Sequence, residues 1–96
     1  MLGSGYGFSP GQFDGPSGVE VQPANDKYPG GAVYVTDNSN KRVQVFDATT
    51  GQHLGILAGS QGKYARGVSV CSDSKGRNVV FVTNGTNHNL DVYLDR

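Results

Sequence analysis

The chain has 96 residues with eight basic and eight acidic side chains, so its formal net charge is zero at pH 7. That length allows one small domain at most, and the balanced charge argues against a nucleic-acid-binding surface, which needs clustered lysine and arginine. Only 35% of the residues are apolar and 15 are glycine, which is typical of a turn-rich protein with a small core. No apolar run approaches membrane-spanning length, so no membrane insertion is expected.

Four short strands are predicted in the first half of the chain, from runs of β-branched and aromatic residues or of alternating polarity. They cover Gly18–Val21, Ala32–Thr36, Arg42–Phe46 and His53–Leu57. Turn-forming residues precede or follow these runs, at Pro29–Gly31, Asp37–Asn40 and Thr49–Gly51. Helical spacing of apolar residues is absent, so the pattern predicts one antiparallel meander.

The second half of the chain repeats the first. Residues 79–94 align without a gap on residues 32–47, with identities that include Val33/Val80, Val35/Val82 and Thr36/Thr83. Gly67–Val70 likewise matches Gly18–Val21, and the small difference in offset lies in the loop after that strand, where insertions are tolerated. A repeat of about 47 residues is typical of solenoids and propellers.

Two phrases of the chain resemble the NHL repeat, a β-propeller blade unit. They are Gly11–Val19 (GQFDGPSGV) and Val33–Phe46 (VYVTDNSNKRVQVF). The second repeat is degenerate, with Asn84 in place of the aspartate and Asn89 in place of the arginine. The resemblance implies an all-β fold of two four-stranded antiparallel propeller blades, the second lacking its last strand. The expected division is an N-terminal connector at 1–17, an NHL-type blade at 11–58 and a degenerate, incomplete blade at 59–96.

Strands that are apolar on both faces need neighbours on both faces, as blades in a propeller have. We expect Val33, Val35, Val43 and Val45 to pack against one adjacent blade, and Tyr34 and Phe46 against the other. Two blades leave outer faces bare. The chain is therefore expected to be a piece of a longer propeller, to assemble with copies of itself, or to join a complex whose other subunits cover those faces.

Asp37 and Arg42 lie on either side of the predicted turn between the second and third strands, with Asn40 inside it. We interpret these three residues as a structural turn in which the carboxylate accepts N–H bonds and faces the arginine. Binding of a protein partner is expected from exposed aromatic and basic residues in or beside loops. The candidates for partner contact are Tyr6, Phe8, Tyr28, Lys41 and Arg42.

Residues with the chemistry for catalysis or metal binding are scattered. His53 and His88 are not spaced as metal ligands and are expected to be exposed or to lie in turns. Cys71 has no nearby histidine or second cysteine, so we expect an unreactive, partly buried thiol; a single cysteine also favours a reducing, intracellular compartment. A central propeller calcium ion would draw on Glu20, the only residue well placed for it. No catalytic residue, cofactor or metal is predicted.

The function expected from these features is that of a structural or protein-interaction module. One alternative is a fragment of a propeller enzyme, since NHL-like and related propellers include a lyase and metal-dependent lactonases. A second alternative is RNA binding, which some NHL propellers perform through a basic face. The neutral charge and the scattered arginines argue against RNA.

Overall fold

The computed structural model describes residues 5, 7, 10–12, 14–37, 42–59, 65–84 and 89–95, and within these ranges every regular element is a strand. Consecutive strands pair antiparallel in two sheets, the first formed by β1–β4 and the second by β5–β7. Their bounds are β1 Pro16–Gln22, β2 Ala32–Asp37, β3 Arg42–Asp47, β4 His53–Gly59, β5 Ala65–Ser72, β6 Asn78–Asn84 and β7 Asn89–Asp95. The predicted all-β meander is confirmed. The described residues contain no helix long and apolar enough to cross a membrane.

Side chains set the turn between β3 and β4. The Asp47 carboxylate accepts backbone N–H bonds from Thr49 and Thr50, each at 2.8 Å. The two hydrogen bonds lower the pKa of Asp47, and the one from Thr50 has the larger effect. Gly51 follows with a left-handed φ of 79°. The aspartate thus accepts hydrogen bonds from two backbone N–H groups of the turn that would otherwise be bonded to water.

The register of β2 against β3 decides which side chains share a face. Asp37 lies opposite Arg42, so Val33 lies opposite Phe46 and Tyr34 opposite Val45. Directly opposed residues point to the same side of a sheet. The expected grouping of Val33 and Val35 with Val43 and Val45, and of Tyr34 with Phe46, is therefore wrong. The cause is the four-residue connection, which pairs odd-numbered positions on β2 with even-numbered positions on β3.

The first sheet accordingly has two apolar faces of different composition. We call one the front face of the first sheet, formed by Ala32, Tyr34, Val43 and Val45. The other is its back face, formed by Val33, Val35 and Phe46, with Val19 and Val21 on the same side because they pair with Val35 and Val33.

The main core lies between the two sheets. The front face of the first sheet packs on Val70, Val80 and Val82 of the second, with Val68 and Tyr93 at the margin. In the repeat alignment Val80 and Val82 correspond to Val33 and Val35, so this side is the back face of the second sheet. The front face of the second sheet, formed by Val79, Phe81, Leu90 and Val92, points away from the first. Front therefore meets back within the chain.

We expect Val80→Ala to lower the free energy of unfolding by about 2 kcal/mol, because it removes buried methyl groups and leaves a cavity. Val80 has no exposed surface, whereas Leu54 is 41% exposed. Leu54→Ala removes more carbon atoms, so it is the matched control and should cost less. Urea unfolding of both variants measures the difference, and an equal or greater loss for Leu54→Ala would contradict the position of the core.

Candidate functional site

A buried polar cluster lies where β2 ends and β3 begins, on the back side of the first sheet. Arg42 Nε donates to Asp37 Oδ2 at 2.8 Å, and Gln44 Nε2 donates to the same oxygen at 3.2 Å. The exposed fractions are 0% for Asp37, 8% for Arg42 and 0% for Gln44. The register explains the cluster, because Asp37 and Arg42 are direct partners and Gln44 is the next residue of β3 on that side.

This cluster, which we call the Asp37–Arg42–Gln44 cluster, holds the N-terminal segment by its backbone. Gly11 donates its N–H to Gln44 Oε1 at 2.9 Å, and Asp14 donates its N–H to Asp37 Oδ1 at 2.8 Å. The Gln12 carbonyl accepts from Arg42 Nη2 at 2.7 Å and from Gln44 Nε2 at 2.6 Å. Asp37 and Arg42 therefore connect the segment to the sheet in addition to facing each other across the β2–β3 connection. These hydrogen bonds are made to backbone N–H and C=O groups of the segment, so they do not depend on which side chains it carries there.

The sequence alone does not predict that Gln44 belongs to this cluster. The signal available was a polar side chain in the middle of the apolar run Val43–Phe46. A buried amide needs partners for its donors and its acceptor, and Gln44 has them in Asp37, Gln12 and Gly11.

A second polar cluster joins the two sheets. The hydroxyl groups of Tyr28 and Tyr34 both donate to Asp95 Oδ2 at 2.7 Å. The two rings meet edge to face, with centroids 6.4 Å apart, and Lys27 Nζ lies 3.9 Å from Asp95 Oδ1. Burial, and then the hydrogen bond to Asp95, raise the pKa of both tyrosines. The tyrosines therefore stay protonated donors that connect the front face of the first sheet to the end of β7.

Amide side chains form a third polar cluster, which also joins the two sheets. Gln22 Nε2 donates to Ser72 Oγ at 3.0 Å and to Asn78 Oδ1 at 3.3 Å, while Asn25 Nδ2 donates to Asn78 Oδ1 at 2.9 Å. Gln22 and Asn78 are buried at 8% and 1% exposure. These bonds fix how the loop end of the first sheet sits on the second.

The candidates for partner contact divide into two groups. Tyr6, Phe8 and Lys41 lie outside the described residues, as does the turn residue Asn40. Tyr28 is half-buried, and its hydroxyl is already bonded to Asp95. Arg42 is 8% exposed and bonded to Asp37 and Gln12, so it has little surface left to offer a partner.

His53 and Cys71 both differ from expectation in their exposure. His53 is half-buried at the start of β4, with its ring edge to face on Phe46 at 5.2 Å. Its Nε2 is buried and has no hydrogen-bond partner among the described residues. Burial, and then the charge of Arg42, lower its pKa. Cys71 is exposed rather than partly buried, because it pairs with Val79 on the outward side of the second sheet.

Glu20 and the histidines have the chemistry to bind a metal ion. Glu20 lies on β1 opposite Tyr34. Over the ranges that the structure describes, no three histidine, cysteine, aspartate or glutamate side chains come together as a group that could hold a metal ion. The polar side chains gathered in the three clusters join strands and segments of this chain.

We expect Asp37→Asn to lower the free energy of unfolding by about 3 kcal/mol, because it leaves a buried guanidinium without its counter-charge. The matched control is Asp73→Asn, since Arg77 Nε and Asp73 Oδ2 form an ion pair between the same kinds of atoms, at 2.7 Å, on partly exposed side chains. That control should cost less than about 1 kcal/mol. Denaturant unfolding measures both free energies. An equal loss of stability in the two variants would contradict the claim that the buried Asp37–Arg42 pair stabilises the fold more than the exposed pair does.

The family model described as the NHL repeat matches residues 28–46. This segment contains Tyr28, β2 and most of β3, and with them Tyr34, Asp37, Arg42 and Gln44. A search of the curated proteins gave no significant match, and neither did a search of the solved structures. The resemblance predicted from the sequence is confirmed over that segment: residues 28–46 are similar to the NHL repeat.

Proposed function

We propose that the chain is a non-catalytic structural or protein-interaction module of two NHL-type propeller blades. The blades correspond to the first sheet and to the second, three-stranded sheet. The module works as part of a larger propeller or multi-subunit assembly, and its partners are proteins: other subunits or copies of itself.

One observation carries this proposal. Each sheet keeps exposed apolar side chains on the side that its neighbour within the chain does not cover. On the first sheet Val19 and Val21 are 63% and 60% exposed, and on the second sheet Leu90 and Val92 are 55% and 57% exposed. Apolar side chains gathered on one sheet face in this way mark an interaction surface.

The packing between the sheets supports the assignment to propeller blades. Antiparallel four-stranded blades stack face to face around an axis, so each blade is covered on both sides. The front face of the first sheet meets the back face of the second, which is the relation between consecutive blades. The NHL match at residues 28–46 falls on the blade with all four strands.

A non-catalytic role is supported by what the buried polar groups do. Asp37 and Gln44 form hydrogen bonds to the backbone of Gly11, Gln12 and Asp14, and Asp95 accepts hydrogen bonds from two tyrosine hydroxyls. These groups have structural partners within the chain that satisfy their hydrogen bonds.

An end-to-end fusion of three copies tests the blade role. If the two sheets are blades, neighbours in the fusion cover the exposed apolar faces, and the melting temperature should exceed that of the single chain at equal, low concentration. The matched control carries Val19→Lys, Val21→Lys, Leu90→Lys and Val92→Lys in every copy, and it should lose the gain. A fusion that melts at the same temperature as the single chain would contradict the proposal.

A further inference from the structure

The repeat relates the packed faces of the two sheets to their open faces. The front-face residues of the first sheet, which are buried at 0–2% exposure, are Ala32, Tyr34, Val43 and Val45. Their counterparts at an offset of 47 residues are Val79, Phe81, Leu90 and Val92. All four counterparts lie on the outward side of the second sheet, where Leu90 and Val92 are more than half exposed.

The back faces of the two sheets show the same relation: residues that are packed in the second sheet have exposed counterparts in the first. Within the chain, β5 is the strand of the second sheet that lies against β1 and β2, and its Val70 is 8% exposed in the shared core. The counterpart of Val70 is Val21, and that of Val68 is Val19. Both counterparts are exposed on β1. Val33 and Val35 are already buried at 7% and 8%, so β1 forms the open part of this back face.

The polar contacts between the sheets have matched replacements on the open faces. The Tyr34 hydroxyl meets Asp95 within the chain, but the counterpart of Tyr34 is Phe81 and that of Asp95 is Ala48. Donor and acceptor are thus lost together.

Gln22 shows the same matched loss. It bonds to Ser72 and Asn78, but its counterpart is Cys71, and the counterparts of its two acceptors are Pro23 and Gly31. An interface that joined the open faces in the same geometry would leave none of these side chains buried without a partner, which is the condition for burial at low cost.

We propose that the front face of the second sheet in one copy binds the back face of the first sheet in a second copy, head to tail. The contact follows the pattern of the one that joins the two sheets within the chain, with exposed β1 of the second copy in the place of β5. The inference rests on the proposed blade role and names the partner of its open faces as this same chain. Because the two surfaces are different, the contact is heterologous, and it generates a ring when the rotation per copy closes.

Two variants that block one face each test the direction of this contact. Val19→Lys with Val21→Lys blocks the back face, and Leu90→Lys with Val92→Lys blocks the front face. Each pair alone should raise the apparent dissociation constant by about 100-fold, since ammonium groups would be buried without partners. An equimolar mixture should form a dimer, because it restores one intact front and one intact back. Light scattering over a dilution series measures the masses.

The charge-matched control is Gln52→Lys with Ser74→Lys, which adds two lysines at exposed positions outside the strands and should assemble like the unmodified chain. Circular dichroism establishes that each variant is folded. A monomeric unmodified chain at all concentrations, a back-blocked variant that still dimerises by itself, or a mixture that stays monomeric would each overturn the proposal.

Cysteine cross-linking gives a second test that does not need the lysine variants. Cys71 lies on the front side of the second sheet, and its place in the proposed contact is opposite Pro23 of the next copy, as Gln22 is opposite Ser72 within the chain. Under mild oxidation Pro23→Cys should give a ladder of linked chains, whereas Ser74→Cys should not. Equal linking in both variants, or dimers of the unmodified chain through Cys71 alone, would overturn head-to-tail contact.

The two proposals fail differently. If the fusion of three copies is stabilised while separate copies stay monomeric, the blade role stands and association of separate copies is wrong. If the fusion gains no stability, the blade role is wrong, and the head-to-tail contact that rests on it is wrong as well.

Discussion

The pairing of Asp37 with Arg42 is the constraint on which the rest of the structure depends. Together with the four-residue connection, it fixes the register of β2 against β3, and a shift of one residue would move every side chain of a strand to the other face. With this register, Tyr34 joins Val45 on the front face, and Phe46 joins Val33 on the back face. The ion pair is buried and bonded to the backbone of Gln12 and Asp14, so it links the register of the strands, and with it the composition of both faces, to the position of these two residues.

The two faces of the first sheet then serve different purposes. The front face carries apolar side chains with Tyr34 among them, and its hydroxyl reaches Asp95 at the end of β7. The back face carries the Asp37–Arg42–Gln44 cluster at one end and exposed valines of β1 along its edge. The front face of the first sheet thus packs on the second sheet through an apolar core with the Tyr34–Asp95 hydrogen bond at its margin. The back face keeps exposed apolar side chains on β1. That asymmetry gives the repeat a direction.

Much of the fold could be predicted from the sequence. The predicted strands end within two residues of the observed ones, since turn residues such as Thr49–Gly51 bound runs of valine and aromatic residues. The faces were assigned wrongly, because the parity of a turn connection decides them and composition does not report it. The roles of Gln44 and Asp95 are not visible in the sequence, since the Gly11 and Gln12 partners of Gln44 and the tyrosine partners of Asp95 lie more than 30 residues away along the chain. Cys71 is exposed rather than partly buried, because the sequence does not show on which face of the second sheet its side chain lies.

Nuclear Overhauser effects in the dilute chain test the front-to-back packing most directly. The packing described here predicts contacts from the ring protons of Tyr34 to the methyl groups of Val70, Val80 and Val82, which share its core. Selective labelling of valine methyl groups and tyrosine rings makes these contacts visible. Contacts from the methyl groups of Val33 and Val35 to those of Val80 and Val82, with none from Tyr34, would contradict the register, the faces and the head-to-tail contact that follows from them.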